Sequence, residues 1–222
     1  MSRYGASRDE LLPTYLRKRY KILFCTVLLT LVSAPILSAF KFNGIVIESI
    51  LAANLLAAIM PVSGVRRRPY LLLGMVAVWL ARPLTAWLAH PTLSATTLAI
   101  WTMIGLLAAA AALRFAMRAT KVDTEHLYAA LSAYLLAGIY FGLLYWVLEQ
   151  IIPGTFTAPT HFSQTSAIYF SFVTLATLGY GDIAPRGDIV RGIAIIEGVG
   201  GQLFLAVLVA RLVSLYSKPA DN

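Results

Sequence analysis

The residues most suited to chemistry lie in the run Thr177-Leu178-Gly179-Tyr180-Gly181-Asp182. Glycines at 179 and 181 permit backbone angles that a β-carbon penalises. If alternate residues turn their carbonyls the same way, a row of oxygens can face one axis. A cation stripped of water needs such a row to replace its hydration shell. The apolar stretch from about Ser163 to Leu178 is too short to cross a bilayer, which takes about 20 residues. It therefore reads as a re-entrant segment whose polar backbone lines a protected path. A half-length helix there aims the negative end of its dipole at a central cavity and favours a cation. Other chemistry is sparse. The single cysteine, Cys25, cannot form an intrachain disulfide. His90, His126 and His161 are scattered, and no His/Cys cluster has metal-ligand spacing. With no nucleophile–base pair and no phosphate loop, neither an enzyme nor a cofactor is expected.

The elements that must position this run follow from composition. The chain has 222 residues, of which 59% are hydrophobic and 13% charged, and its mean hydropathy is +0.76. A soluble chain is about half apolar and about a quarter charged, so this one cannot cover a water-facing surface. A soluble enzyme, a disordered chain and a disulfide scaffold are excluded; an all-α membrane protein remains. Six apolar runs are long enough to span: Tyr20–Phe40, Ile45–Val62, Tyr70–Ala89, Ser94–Met117, His126–Ile152 and Ile189–Tyr216. The re-entrant segment lies between the fifth and sixth.

A net charge of +8 reads as topology rather than nucleic-acid binding. Basic residues gather before span one (Arg3, Arg8, Arg17, Lys18, Arg19, Lys21), after span two (Arg66, Arg67, Arg68), after span four (Arg114, Arg118, Lys121) and at Arg211 and Lys218. Lys41, Arg186 and Arg191 fall on the other side. Both termini are thereby expected in the cytoplasm, as an even number of spans requires. Residues 8–19 read either as a short interfacial helix or as a basic flank of span one. The expected organisation is a basic segment over 1–19, a four-helix domain over 20–119, a pore domain over 120–217 and a tail over 218–222. No soluble ligand-binding domain is expected in this chain.

On these residues the chain resembles the potassium channel family, over about residues 124–217. Thr177-Leu178-Gly179-Tyr180-Gly181-Asp182 looks like that family's selectivity filter, with Leu178 where valine is commoner. Tyr169 and Phe170 match an aromatic pair that packs as a cuff around the filter. Thr174 matches a pore-helix threonine, and Ala176 departs from a threonine common before the filter. The resemblance implies K+ sites at Thr177, Leu178, Gly179 and Tyr180, with Gly181 completing the filter and Asp182 bonding behind it towards the pore helix. It implies a homotetramer, since one chain brings one loop and a filter needs four. K+ would be the permeant ion. The small size and the lack of eukaryotic-style extensions point to a plasma (inner) membrane of prokaryotic type, crossed several times. Gly201 falls where the family has an inner-helix hinge; the alternative is that Gly198, Gly200 and Gly201 only allow close packing.

Span four is rich in Ala and Leu, and its basic residues lie near its end. Steep voltage gating is therefore not expected, because charges at the interface cross little of the field. Glu48 and Arg82, both in the outer half, are expected to pair within the four-helix domain. Glu197 is expected behind the filter, against a pore-helix hydroxyl. His161 reads as a solvated loop residue or as a source of sensitivity to external pH. Two other functions compete with a channel. A secondary transporter would need paired broken helices and internal repeats, which are absent. A non-conducting channel-like subunit is disfavoured by an intact filter.

Overall fold

The computed structural model describes residues 8–39, 49–54, 56, 73–74, 76–81, 91–118, 123–159 and 161–216. They are almost wholly helical: α1 (Arg8–Ala39), α2 (Pro91–Arg118), α3 (Thr124–Ile151), α4 (Gln164–Leu175) and α5 (Asp188–Tyr216). Residues 49–54 and 76–81, from spans two and three, are also helical. Strands β1 (Phe156–Thr157) and β2 (Ala184–Pro185) pair antiparallel, with Phe156 opposite Pro185 and Thr157 opposite Ala184. Among the described residues, three helices are long and apolar enough to cross a membrane: 93–118, 124–151 and 188–214. The expected Glu48–Arg82 pair lies outside the described residues.

Residues 8–19 of the basic segment and residues 20–39 of span one form one continuous helix. No glycine interrupts residues 8–39, and the junction is made of Leu, Arg and Lys, which are strong helix formers. Helix α2 begins at Pro91, whose fixed φ suits a first helical position. Helix α3 is capped by Asp123, whose Oδ1 accepts from the backbone N–H of His126 at 3.0 Å. That bond holds the Asp123 carboxyl below its ordinary range.

Helices α1 and α2 both pack along α3. The contact with α2 is rich in small residues: Ala108, Ala109, Ala112 and Ala116 are buried, with Ala129, Ala130 and Ala133 in the same cluster. Gly105 is seated on the Tyr140 ring, where a β-carbon would come within 2.1 Å of Cε1. Small residues let membrane helices approach closely, and dispersion then holds them. At the end of this layer near Asp123, Tyr20 stacks on Phe115 at 4.7 Å and Phe115 stacks on His126 at 4.6 Å. The Tyr20 backbone N–H donates to Glu125 Oε2 at 3.0 Å. Deeper in, Asn54 donates to Thr30 Oγ1 at 2.6 Å. The residue 49–54 segment therefore packs on α1.

Candidate ion-conduction site

Helix α4 starts at Ser163, whose Oγ accepts from the backbone N–H of Ser166 at 3.1 Å. It ends after Leu175 in a Schellman cap. The Leu178 N–H donates to Val173 O at 2.9 Å and the Thr177 N–H donates to Thr174 O at 3.0 Å. This pattern requires Thr177 in the left-handed region, and its φ is +57°. The Ala176 N–H takes Phe172 O at 2.9 Å. The last carbonyl, Leu175 O, accepts from Tyr134 OH at 3.3 Å and from Gln202 Nε2 at 3.5 Å. The four carbonyls that a helix end leaves open are thus all engaged. The first residue of the filter motif is also the residue that terminates the pore helix.

The left-handed angle then recurs at every second residue: Thr177 at +57°, Gly179 at +57° and Gly181 at +78°. Leu178 and Tyr180 between them keep negative φ. Alternation of hand turns successive peptide planes so that their carbonyls share a side, whereas a uniform strand sends them to alternate sides. A β-carbon at Gly179 or Gly181 would meet nothing within 4 Å in this chain. Conformation rather than crowding is what calls for glycine there. Leu178 and Tyr180 are 56% and 66% exposed.

The pore helix is seated in a groove on α3. A β-carbon on Gly138 would lie 2.6 Å from the Phe172 ring, and one on Gly142 would lie 2.5 Å from Ile168 Cα. Two glycines one turn apart thus receive two pore-helix residues one turn apart. On the other flank, a β-carbon on Gly201 of α5 would lie 2.7 Å from Leu175 Cδ1 and 3.0 Å from Leu175 O. Gly201 therefore has a packing role, and α5 runs through it as continuous helix. Between these flanks Ser171 donates to Gly138 O at 2.7 Å. Its hydroxyl also meets Glu197 Oε1, and Tyr145 OH donates to Glu197 Oε2 at 2.6 Å. Glu197 therefore reaches a pore-helix hydroxyl, that of Ser171.

Beyond the pore helix, Tyr169 of α4 lies near enough to Asp182 for the two to interact electrostatically. Its neighbour Phe170 turns the opposite way, into an aromatic cluster. Phe170 meets Tyr145 edge-on at 5.1 Å and Phe156 at 5.2 Å, and Phe156 stacks on Phe162 at 4.4 Å. The loop before the pore helix is tied down by Glu149, whose carboxylate accepts from Gly154 N, Thr155 Oγ1 and Phe156 N at 2.8, 2.7 and 3.2 Å. The loop after the filter is tied to the same place. The Arg186 N–H donates to Thr155 O at 2.7 Å and its Nε to Thr157 Oγ1 at 2.6 Å. His161 is exposed ahead of the pore helix. At the far end of α5, Arg211 donates to Ala116 O at 2.9 Å and so holds the last turn of α2.

Of the expected site residues, Tyr169, Phe170 and Thr174 lie on α4, Thr177 to Asp182 follow its C-terminal end, and Gly201 lies on α5. Several residues that carry the arrangement were not singled out from the sequence. Gly138 and Gly142 form a Gly-x-x-x-Gly pair in an apolar helix, a readable packing signal. Tyr134, Tyr145, Ser171 and Gln202 carry no local signal, because their partners lie 26 to 52 residues away.

Comparison with known proteins agrees with this geometry. A family model described as an ion channel matches residues 130–218. The chain is 32% identical over 90 residues to "Inward rectifier potassium channel Kirbac3.1" of Paramagnetospirillum magnetotacticum, covering 39% of this chain and 28% of the relative. It is 36% identical over 92 residues to "Two pore potassium channel c" of Oryza sativa subsp. japonica, covering 40% of this chain and 18% of that protein. The chain therefore spans only a minor part of the length of these two relatives. It is 31% identical over 100 residues to "Protein LctB" of Bacillus caldotenax, covering 42% of this chain and 74% of the relative. No solved structure matches. With a half-helix that runs into a segment of alternating hand, and with these relatives, the chain belongs to the ion channel family and within it resembles the potassium channels.

Proposed function

We infer that this protein is a potassium-selective channel, passive and homotetrameric, with K+ held at Thr177, Leu178, Gly179 and Tyr180. One observation carries the reading: left-handed angles at alternate residues in a segment that a single chain leaves exposed. Carbonyls on one side, with no protein of their own chain before them, suit a cation shared by several copies around an axis. Two of the matched relatives are potassium channels by name. Helix α5 supports the assembly. It is the most hydropathic of the three spans, at 2.1, yet only 11% of its apolar window is buried, against 56% for α3. That face is proposed to be covered by the other copies.

Tyr169 and Asp182 support the filter from outside, and Thr174 and Gly201 set its inner end. Opening is assigned to α5 around Gly198, Gly200 and Gly201, where missing β-carbons soften the helix. Helix α2 is a packing helix rather than a sensor, because its buried face is alanine-rich and uncharged and both Arg114 and Arg118 are exposed near its end. Steep voltage dependence is not expected. The proposed placement is an inner membrane with both termini cytoplasmic. Purified protein in liposomes tests the function: K+ uptake down a gradient, with little Na+ uptake, is expected. Equal fluxes of the two ions would refute selectivity, and no flux of either would refute conduction.

A further inference from the structure

Among the described residues, Glu197 is the only buried acidic side chain, 2% exposed. It joins three helices at the level of the pore helix. Oε2 lies 2.6 Å from Tyr145 OH on α3, and Oε1 meets Ser171 Oγ on α4. Ser171 Oγ is also 2.7 Å from Gly138 O on α3. Three contacts among oxygens need three protons. Tyr145 has one, Ser171 has one, and the Gly138 carbonyl has none. An ionised Glu197 adds none, so one contact would set two acceptors against each other. A neutral Glu197 adds the missing proton, and all three contacts become hydrogen bonds in one direction.

The surroundings agree. An apolar cavity of about 390 Å³ lies beside the carboxyl. From α2 it is faced by Leu106, Ala109, Ala110 and Leu113, and from α3 by Tyr134, whose hydroxyl is engaged with Leu175 O. Among the described residues, Tyr145 and Tyr134 of α3 are the only other titratable groups facing Glu197, and α4 brings only the Ser171 hydroxyl. Among them too, no Lys, Arg or His lines the cavity or touches the carboxyl. A buried carboxylate without a cation costs far more than a buried acid with its bonds made.

We propose that Glu197 is a positioning residue kept as the neutral acid, donating to Ser171, which donates to Gly138 O, while Tyr145 donates to Glu197. The relay clamps the pore helix between α3 and α5 one turn before Leu175, and so fixes the inner end of the filter. Ionisation would pull the Ser171 proton off Gly138 O and loosen the clamp. Conduction is therefore expected to decline as pH rises through the ionisation of Glu197.

The test uses the full chain in liposomes, compared with Glu197→Gln and Glu197→Ala. The amide of glutamine matches the neutral acid, donating to Ser171 and accepting from Tyr145. The infrared difference between wild type and Glu197→Gln is expected to show a lost protonated-carboxyl C=O band at neutral pH; loss of a carboxylate band instead overturns the proposal. The conduction arm rests on the channel reading. Glu197→Gln is expected to keep wild-type K+ flux while losing the alkaline decline. Glu197→Ala is expected to lose flux roughly tenfold, the order of one buried hydrogen bond unmade. A Glu197→Gln protein that fails to assemble, or that assembles and does not conduct, overturns the proposal. Wild-type vesicles without K+ flux would end the channel reading, while the infrared band would still decide the protonation of Glu197.

Discussion

Thr177 bears two demands at once. Its backbone closes the pore helix in a left-handed cap, and its carbonyl and hydroxyl begin the proposed ion path. A β-branched residue at φ +57° is strained by about 1–2 kcal/mol, yet threonine stands there. Thr177→Gly would relieve that strain, offset by roughly 0.5–1 kcal/mol of added chain entropy. Its melting temperature is expected to stay near wild type while K+ conductance falls; a large drop in melting would make the hydroxyl structural instead. Gly179→Ala carries the opposite sign. With no crowding at that position, the left-handed angle alone adds about 1–2 kcal/mol per subunit, and the K+ over Na+ permeability ratio is expected to fall in channels that still assemble. At this scale Gly179 and Gly181 were legible because glycine has one reason to recur at alternate positions. The left-handed angle at Thr177 was not, because it comes from the cap of the preceding helix and threonine gives no sign of it.

The pore helix is held on two flanks by missing side chains. Gly142→Ala would press a methyl against Ile168 Cα, and overpacking of this kind costs about 1–3 kcal/mol. Gly192, also helical, has open space around it; there alanine gains up to about 1 kcal/mol of helix propensity. Thermal melting in detergent is expected to drop for Gly142→Ala and to hold or rise for Gly192→Ala. Equal shifts would remove the groove from the account. The helices were largely legible as apolar runs: α3 and α5 lie within two residues of the expected bounds. The seat of the pore helix was less so, since a Gly-x-x-x-Gly pair shows that something packs closely without saying what. That residues 8–19 run on into span one has a simpler reason: nothing in that junction stops a helix.

At the scale of the whole molecule, the described helices pack around α3 and leave α5, the most hydropathic of the three membrane-length helices, and the proposed filter largely uncovered. Both features suit a shared axis, and both predict outcomes for the intact protein. In a Cys25→Ser background, Ser2→Cys is expected to react with an impermeant maleimide only from the cytoplasmic side, and Thr157→Cys only from outside. Labelling of both from one side would break the orientation drawn from the basic residues. The charge pattern and the exposed face of α5 concern where and with what the chain assembles; neither touches the ion. The ion is tested most directly by the reversal potential of reconstituted protein in a planar bilayer, with K+ on one side and Na+ on the other. At equal concentrations, a reversal potential far from zero is expected, with the K+ side negative as a large K+ over Na+ permeability ratio requires, collapsing towards zero in Gly179→Ala; a wild-type potential near zero would contradict the central claim.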